Sequence, residues 1–254
     1  MRQPGRALPH PILARIAFIA LLLVLWEVFG RIGSDLFIAP VSKVIGSGSA
    51  IFEDPAVRNA LLTTAWELAL AFALSVAIGL CIGLAVASSG FTLRSFYPLV
   101  LLIYAIPQVT VLPLFILYFG SGPASKIAFG VSHGLFPIAI NVVSGVQGIP
   151  SVLLASARSM GASRWLVFRR ITLPYLIPSL FTGMRLATSA TLLGVLLAEL
   201  YVSSGGIGHY TSLYSENFQP DRLFALIGAL ALMAIMINET MRSLERRSSS
   251  WRQQ

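Results

Sequence analysis

Six long stretches of this chain carry almost no charge, and its polar residues gather in the segments between them. A hydrocarbon core about 30 Å thick takes roughly 20 helical residues to cross, so each stretch predicts a membrane-spanning helix. The spans run from about Ile12 to Phe29, Leu61 to Ala87, Tyr97 to Phe119, Ile127 to Val146, Leu176 to Leu200, and Leu223 to Met241. The pattern predicts an all-α, polytopic transmembrane helical protein of six spans, with residues 1–254 forming a single membrane domain. Arg2 and Arg6 ahead of the first run have the look of a signal peptide. The run leaves through Trp26-Glu27-Val28-Phe29 with no small-residue cleavage site, which predicts an uncleaved helix.

Two of the connecting loops are too long to be turns. The first, about Gly30 to Ala60, holds Pro40 and the Gly/Ser-rich stretch Gly46 to Ser49, and predicts irregular chain followed by a short surface helix. The second, about 148–175, opens at Pro150, where Ser151 is placed to cap a helix. Val152 to Val167 then reads as a short amphipathic helix interrupted at Gly161, and Pro174 and Pro178 mark the return to the apolar phase. Within the third span, Pro107 and Pro113 predict kinks that free backbone carbonyls.

Composition and charge then narrow the function. Charged residues make up 11% of the chain, against about 25% in soluble domains, so a water-soluble fold is excluded. The net charge of +8 would suit a nucleic-acid partner, but it comes mostly from arginines that flank apolar runs, the distribution of a cytoplasmic membrane face. With the N-terminus inside, the inner segments hold Arg2, Arg6, Arg15, Arg94, Arg158, Arg164, Arg169, Arg170, Arg242, Arg246, Arg247 and Arg252. The outer segments hold Arg31, Lys43, Arg58, Lys126 and Arg222. Twelve against five predicts both termini and the 148–175 loop in the cytoplasm, and the resemblance that follows implies a bacterial inner membrane. The single cysteine, Cys81, excludes an intrachain disulfide, and with three scattered histidines it makes no metal-ligand set.

Few residues carry chemistry. Gln108, Thr110, Asn141 and Arg185 are the candidates for lining a solute pathway, and Arg185 alternatively pairs with an acid or snorkels to the interface. Glu67 is ambiguous between these roles, and Glu199 is expected to bond the Gly-rich loop that follows it. Gly130-Val131-Ser132-His133 has the look of an intramembrane protease's serine segment. Adjacent residues point about 100° apart on a helix, however, so Ser132 and His133 are not expected to pair. No catalytic residue is predicted. No G-x-x-x-x-G-K-[S/T] run is present to cradle a nucleotide, so ATP and its Mg would be handled by a partner.

The 148–175 loop reads Ala155-Ser156-Ala157-Arg158-Ser159-Met160-Gly161-Ala162, then Phe168 and Ile171-Thr172-Leu173-Pro174. It closely resembles the EAA loop of ABC importer permeases. Leu36-Phe37-Ile38-Ala39-Pro40, Ile106-Pro107-Gln108, Pro113-Leu114, Phe136-Pro137-Ile138, Gly183-Met184-Arg185 and Gly206-Ile207-Gly208 extend the likeness to the sulfonate, taurine, nitrate and bicarbonate branch. The resemblance implies a type I ABC importer permease fold. It also implies a coupling helix that lies in a groove on the ATPase, carried here by Ala155, Ser156, Ala157, Arg158, Gly161, Ala162, Arg164, Phe168, Leu173 and Pro174. The implied partners are ABC ATPase subunits, a second permease copy, a periplasmic or lipid-anchored solute-binding protein, and membrane lipid. Two positions depart from the family's pattern. Ala155 replaces the loop's first glutamate, and Glu67 stands where many relatives carry arginine. The alternative is an ATP-independent secondary transporter or channel, which would leave the arginine-rich loop unexplained.

Overall fold

The computed structural model describes residues 11–34, 37–202 and 205–249, and every regular element among them is helical. Arg2, Arg6, His10, Asp35, Leu36 and Arg252 lie outside the described residues, as do the side chains of Arg246 and Arg247. In chain order the helices are α1 (Pro11–Ile32), α2 (Val41–Glu53), α3 (Pro55–Ala87), α4 (Gly90–Ala105), α5 (Leu112–Phe119) and α6 (Pro123–Gln147). They continue with α7 (Ser151–Ser159), α8 (Arg164–Val167), α9 (Leu173–Val202), α10 (Ile207–Glu216) and α11 (Pro220–Ser249). Contacts divide the chain into two units, one of residues up to Arg58 with Tyr210–Ala229, the other of Asn59–His209 with the residues from Leu230 onward.

Among the described residues five helices are long and apolar enough to cross a membrane, and a bent pair makes six if it is counted as one span. The sequence predicts one kinked helix from Tyr97 to Phe119; instead α4 ends at Ala105 and the chain turns by 84° into Gln108–Phe119. Pro107 is the cause. A proline disfavours helical backbone in the residue before it, and Ile106 is extended, with ψ 130°. A single 3₁₀ turn, Gln108–Val111, then leads into α5, where Pro113 sits in the first turn and needs no amide partner. Pro113 therefore starts a helix rather than kinking one. The surface helix α2 is likewise longer than expected, running straight through Gly46 to Ser49.

In the first unit, the chain after α1 folds back along it. Trp26 Nε1 donates to Ala39 O at 3.1 Å, and a Cβ on Gly30 would lie 2.6 Å from Pro40 Cα. Glu27 accepts from the backbone N–H and hydroxyl of Ser42, at 3.0 and 2.8 Å, and so satisfies a first-turn amide of α2. Ser47 donates to Asp221 at 2.6 Å, and Trp26 meets Phe224 edge to face at 5.5 Å, tying α2 and α1 to the start of α11.

The second unit is organised around α6. In its most apolar stretch 56% of residues are buried within the chain, against 28% in α3 and 39% in the Arg164–Tyr201 span, so α6 is the central helix of this unit. Hydrocarbon chains solvate leucine as well as leucine does, so helices in a membrane associate through close packing of small residues. Those residues lie at the contacts of α3, α6 and α9. A Cβ on Gly83 of α3 would lie 2.6 Å from Val142, and one on Gly194 of α9 would lie 3.0 Å from the Gly130 Cα. On Gly134 of α6 a Cβ would collide with Thr191 of α9 and Ser75 of α3. Ile138, Val142, Leu176 and Ala187 form the buried core beside these contacts.

Gly134→Val should therefore force α6 away from both neighbours. The expected cost is about 1–3 kcal/mol, read as a clear fall in the unfolding temperature of the purified protein. Gly228→Ala, where an added Cβ meets nothing within 4 Å, should leave that temperature unchanged or slightly raised.

Candidate functional site

The segment between α6 and α9 takes its shape from one glycine. Helix α7 ends with Gly161 at φ +77°, the left-handed region that glycine occupies without a Cβ penalty. Ala162 N–H donates to Ala157 O at 3.0 Å and Gly161 N–H to Arg158 O at 2.9 Å, the paired bonds of a Schellman motif, which satisfy two carbonyls at the helix end. The interruption at Gly161 is as the sequence predicts. Ser151 differs: it occupies the first turn of α7 and makes no cap bond, because Pro150 is the N-cap. The capping serine is Ser163, whose hydroxyl accepts from Leu166 N at 3.2 Å and starts α8.

Helix α8 does not stop before the apolar phase. One π turn, Phe168–Thr172, joins it to α9, and Arg164–Tyr201 forms one 38-residue helical span. The wide turn sits just ahead of Pro174, which has no N–H to bond the carbonyl of Arg170 and whose ring would clash with it in a regular helix. Of the loop residues named from sequence, Ala155, Ser156, Arg158, Gly161, Arg164 and Leu173 are exposed, whereas Ala157, Ala162, Phe168 and Pro174 are half-buried. Ala157, Met160, Gly161, Ala162, Leu166 and Ile171 line a shallow, mostly apolar hollow of about 480 Å³. Met160 stands 86% exposed at its rim, an apolar side chain left uncovered by the described residues.

The pathway candidates separate. Gln108, at the bend after α4, accepts from Ser132 Oγ of α6 at 3.0 Å, so these two come together. Thr110 bonds locally to Pro107 O at 2.7 Å. Asn141 donates to Pro137 O at 2.8 Å and lies against Gly183 of α9. Arg185 is held by Glu245 of α11 at 3.1 Å, and Thr182 donates to the same carboxylate at 2.7 Å. Arg185 is thus a paired structural cation in this conformation.

Ser132 and His133 do approach, at 3.4 Å, because both side chains reach back to the carbonyl of Phe129, at 2.7 and 3.0 Å. This corrects the expected separation but supplies no nucleophile and base. A carbonyl only accepts, so His133 Nδ1 carries the proton and has no lone pair to take another from serine.

Sequence reading missed one buried polar cluster, at the end of the bundle remote from the loop. Lys126, in the first turn of α6, pairs with Glu67 of α3 at 2.6 Å; the two are 4% and 0% exposed. Glu199 of α9, also 0% exposed, accepts from Thr64 Oγ1 at 2.7 Å and from Gly208 N at 2.9 Å, and Thr64 accepts from Ile207 N at 2.9 Å. Lys126 Nζ reaches Gly205 O at 3.5 Å. A Cβ on Gly206, at φ +97°, would collide with the Glu199 carboxylate. The expected bond from Glu199 to the Gly-rich loop is present, but the Glu67 to Lys126 pair was not foreseen. It spans α3 and α6, and no local spacing announces it.

Residues 75–250 match the family described as binding-protein-dependent transport system inner membrane component. The chain is 26% identical to the formylaminopyrimidine transport permease protein ThiX of Halalkalibacterium halodurans over 92% of this chain and 94% of that protein. It is 29% identical to the putative aliphatic sulfonates transport permease protein SsuC of Bacillus subtilis (92% and 85%) and 27% identical to the taurine transport system permease protein TauC of Escherichia coli (93% and 88%). Among solved structures, an inward-facing form of the MetNI methionine ABC transporter superposes with a TM-score of 0.67 at 19% identity, covering 76% of this chain and 96% of that one. A bacterial ABC transporter that imports alginate gives 0.63 at 17%, covering 93% and 95%. These likenesses set aside the ATP-independent alternative.

Removing one partner of a buried ion pair leaves the other charge stranded, which costs about 3–5 kcal/mol. Lys126→Met should therefore lower the unfolding temperature sharply, and Lys126→Met/Glu67→Met should recover most of the loss. Equal unfolding temperatures for the single and double variants would show that the pair holds nothing together.

Proposed function

Since this chain belongs to the family of binding-protein-dependent transport system inner membrane components, and is thus a membrane permease subunit of an ABC importer, we propose that its 148–175 loop is the element that couples ATP hydrolysis to solute passage. ATP hydrolysis resides in separate ATPase subunits, and a solute-binding protein delivers the cargo. The observation that carries the proposal is the Gly161 turn: it holds two short helices around a mostly apolar hollow, with Ala157, Gly161 and Ala162 along one side and the exposed Met160 at its rim. Such a surface admits the close approach of another protein.

Both termini and this loop face the cytoplasm, a reading supported by the twelve-to-five excess of arginine and lysine. Two copies of the chain form the permease, with the pathway at their shared two-fold axis. One helical bundle supplies only one wall, and closed two-fold symmetry is the commonest way to supply the other. Gln108 with Ser132, Thr110 and Asn141 face the solute, whereas Arg185 serves as a structural pair with Glu245. The cargo is a small solute of the sulfonate or taurine class, as the names of two relatives suggest, with nitrate or bicarbonate as the wider class.

An added Cβ at Gly161 meets nothing within 4 Å, so a substitution there is not opposed by packing inside the chain. Valine is opposed by the backbone, since a β-branched residue at positive φ costs about 1–3 kcal/mol of strain. Gly161→Val should therefore insert and fold normally while losing solute uptake and the ATP hydrolysis stimulated by the loaded binding protein. Wild-type values for both in proteoliposomes would rule this loop out as the coupling element.

A further inference from the structure

Among the described residues, Phe218 is the one other than glycine that sits at positive φ, at 51°. It ends α10 in a Schellman motif: its own N–H donates to Ser215 O at 3.2 Å, and Gln219 N–H donates to Tyr214 O at 2.9 Å. Glycine usually fills that position, because a Cβ in the left-handed region crowds the carbonyl that follows. The strain brings no burial in return, since Phe218 is 59% exposed. Backbone strain of this kind persists where the surrounding structure enforces it, and it gathers at sites that hold a ligand or a partner.

Phe37, 68% exposed, meets the Phe218 ring edge to face with centroids 6.3 Å apart. It is placed by a turn of its own, in which its N–H and that of Ile38 donate to Ser34 O at 3.0 and 3.3 Å. Ser47 of α2 donates to Asp221 at 2.6 Å, so the segments that carry the two rings are tied together. The exposed Glu216 and Asn217 precede Phe218, and aromatic rings beside polar residues are the make-up of an interface hot spot. Lipid does not explain the strain. A fluid bilayer surface accepts an apolar ring in any direction, whereas a partner of fixed shape repays a ring that is fixed in one.

We propose that Phe37 and Phe218 form the anchor on which the solute-binding protein docks. The proposal rests on the delivery of cargo by such a protein and on the orientation given above, which puts the α1 to α2 and α10 to α11 connections on the outer face. The apolar centre that two part-exposed rings offer is on the order of 250 Å². A stable complex takes about 800 Å² from each partner, so the patch suits a protein that docks loaded and leaves empty rather than a permanent second copy. The strain at Phe218 is then kept for recognition, not for folding.

The test uses the purified complex of this chain with its ATPase subunits, in nanodiscs with a non-hydrolysable ATP analogue. The loaded binding protein of the same transport system is titrated onto it, and Kd is read by biolayer interferometry. F37A/F218A should weaken binding roughly 10-fold or more and leave basal ATP hydrolysis at the wild-type rate. F218G should also weaken binding while its unfolding temperature stays level or rises, because glycine takes a φ of 51° without strain. Wild-type affinity in both variants would overturn the proposal and leave the rings to lipid. A lower unfolding temperature for F218G with affinity kept would make the pair a packing contact. Separation of F37A/F218A into single permease copies, with affinity per copy unchanged, would give the rings to a second copy. A wild-type complex that binds no binding protein would overturn the delivery reading as well. Orientation is checked separately: in a Cys81→Ala background, Phe218→Cys left unlabelled by an impermeant reagent on right-side-out vesicles would overturn the outer placement.

Discussion

The close approach of α6 and α9 through small residues is the contact on which the rest of the chain depends. Gly130, Gly134 and Gly145 on α6, with Gly183 and Gly194 on α9, leave no room for a Cβ, so the two helices move as one body or separate altogether. The loop that resembles a coupling helix is the connection between these same two helices. Any displacement of the loop is therefore delivered to both at once. Helix α9 carries it furthest, because α8, the π turn and α9 run on as one span. From Arg164 to Glu199 that is a rod of roughly 50 Å at the rise of an α-helix.

What lies at the two ends of the rod explains where the chain spends stability. At the loop end, Gly161 and Ser163 satisfy the backbone groups of two short helices that have little core of their own. At the far end, three ionisable side chains, Glu67, Lys126 and Glu199, are removed from water and lipid together. Burying them is costly, and only mutual pairing with Thr64 and the backbone of Gly205, Ile207 and Gly208 offsets it. In return, the segment leading into α10 is fastened to the tip of the rod. A movement begun at the loop, under the proposed coupling, thus has a fixed point of arrival at the opposite end of α9.

Much of this was legible in the sequence, and the exceptions have definite causes. Uncharged runs located five spans and the bent pair that stands where a sixth was expected, because long apolar runs have few other uses, and Gly161 announced its turn because few other residues sit at positive φ. Pro107 announced a disturbance but not an 84° bend, since a proline reports the loss of helix before it and not the new direction after it. Helix α10 is short and polar, so it carries no apolar run to count. The Glu67 to Lys126 pair joins residues 59 positions apart, and only the packing of α3 on α6 brings them together. Arg185 was legible as a residue needing a partner, but its partner, Glu245, lies 60 positions away on the last helix.

Transmission through the continuous α8 to α9 helix is tested most directly by breaking that helix where the π turn joins the two. Replacing Ile171 and Thr172 by glycine, at the π turn, puts two poor helix formers where the rod is already widest. The decisive measurement is solute uptake per ATP hydrolysed by the complex in proteoliposomes, with loaded binding protein supplied. A rod that transmits force predicts a complex that assembles and keeps its basal ATP hydrolysis but loses both uptake and its stimulation by the binding protein. Wild-type uptake per ATP from I171G/T172G would contradict it.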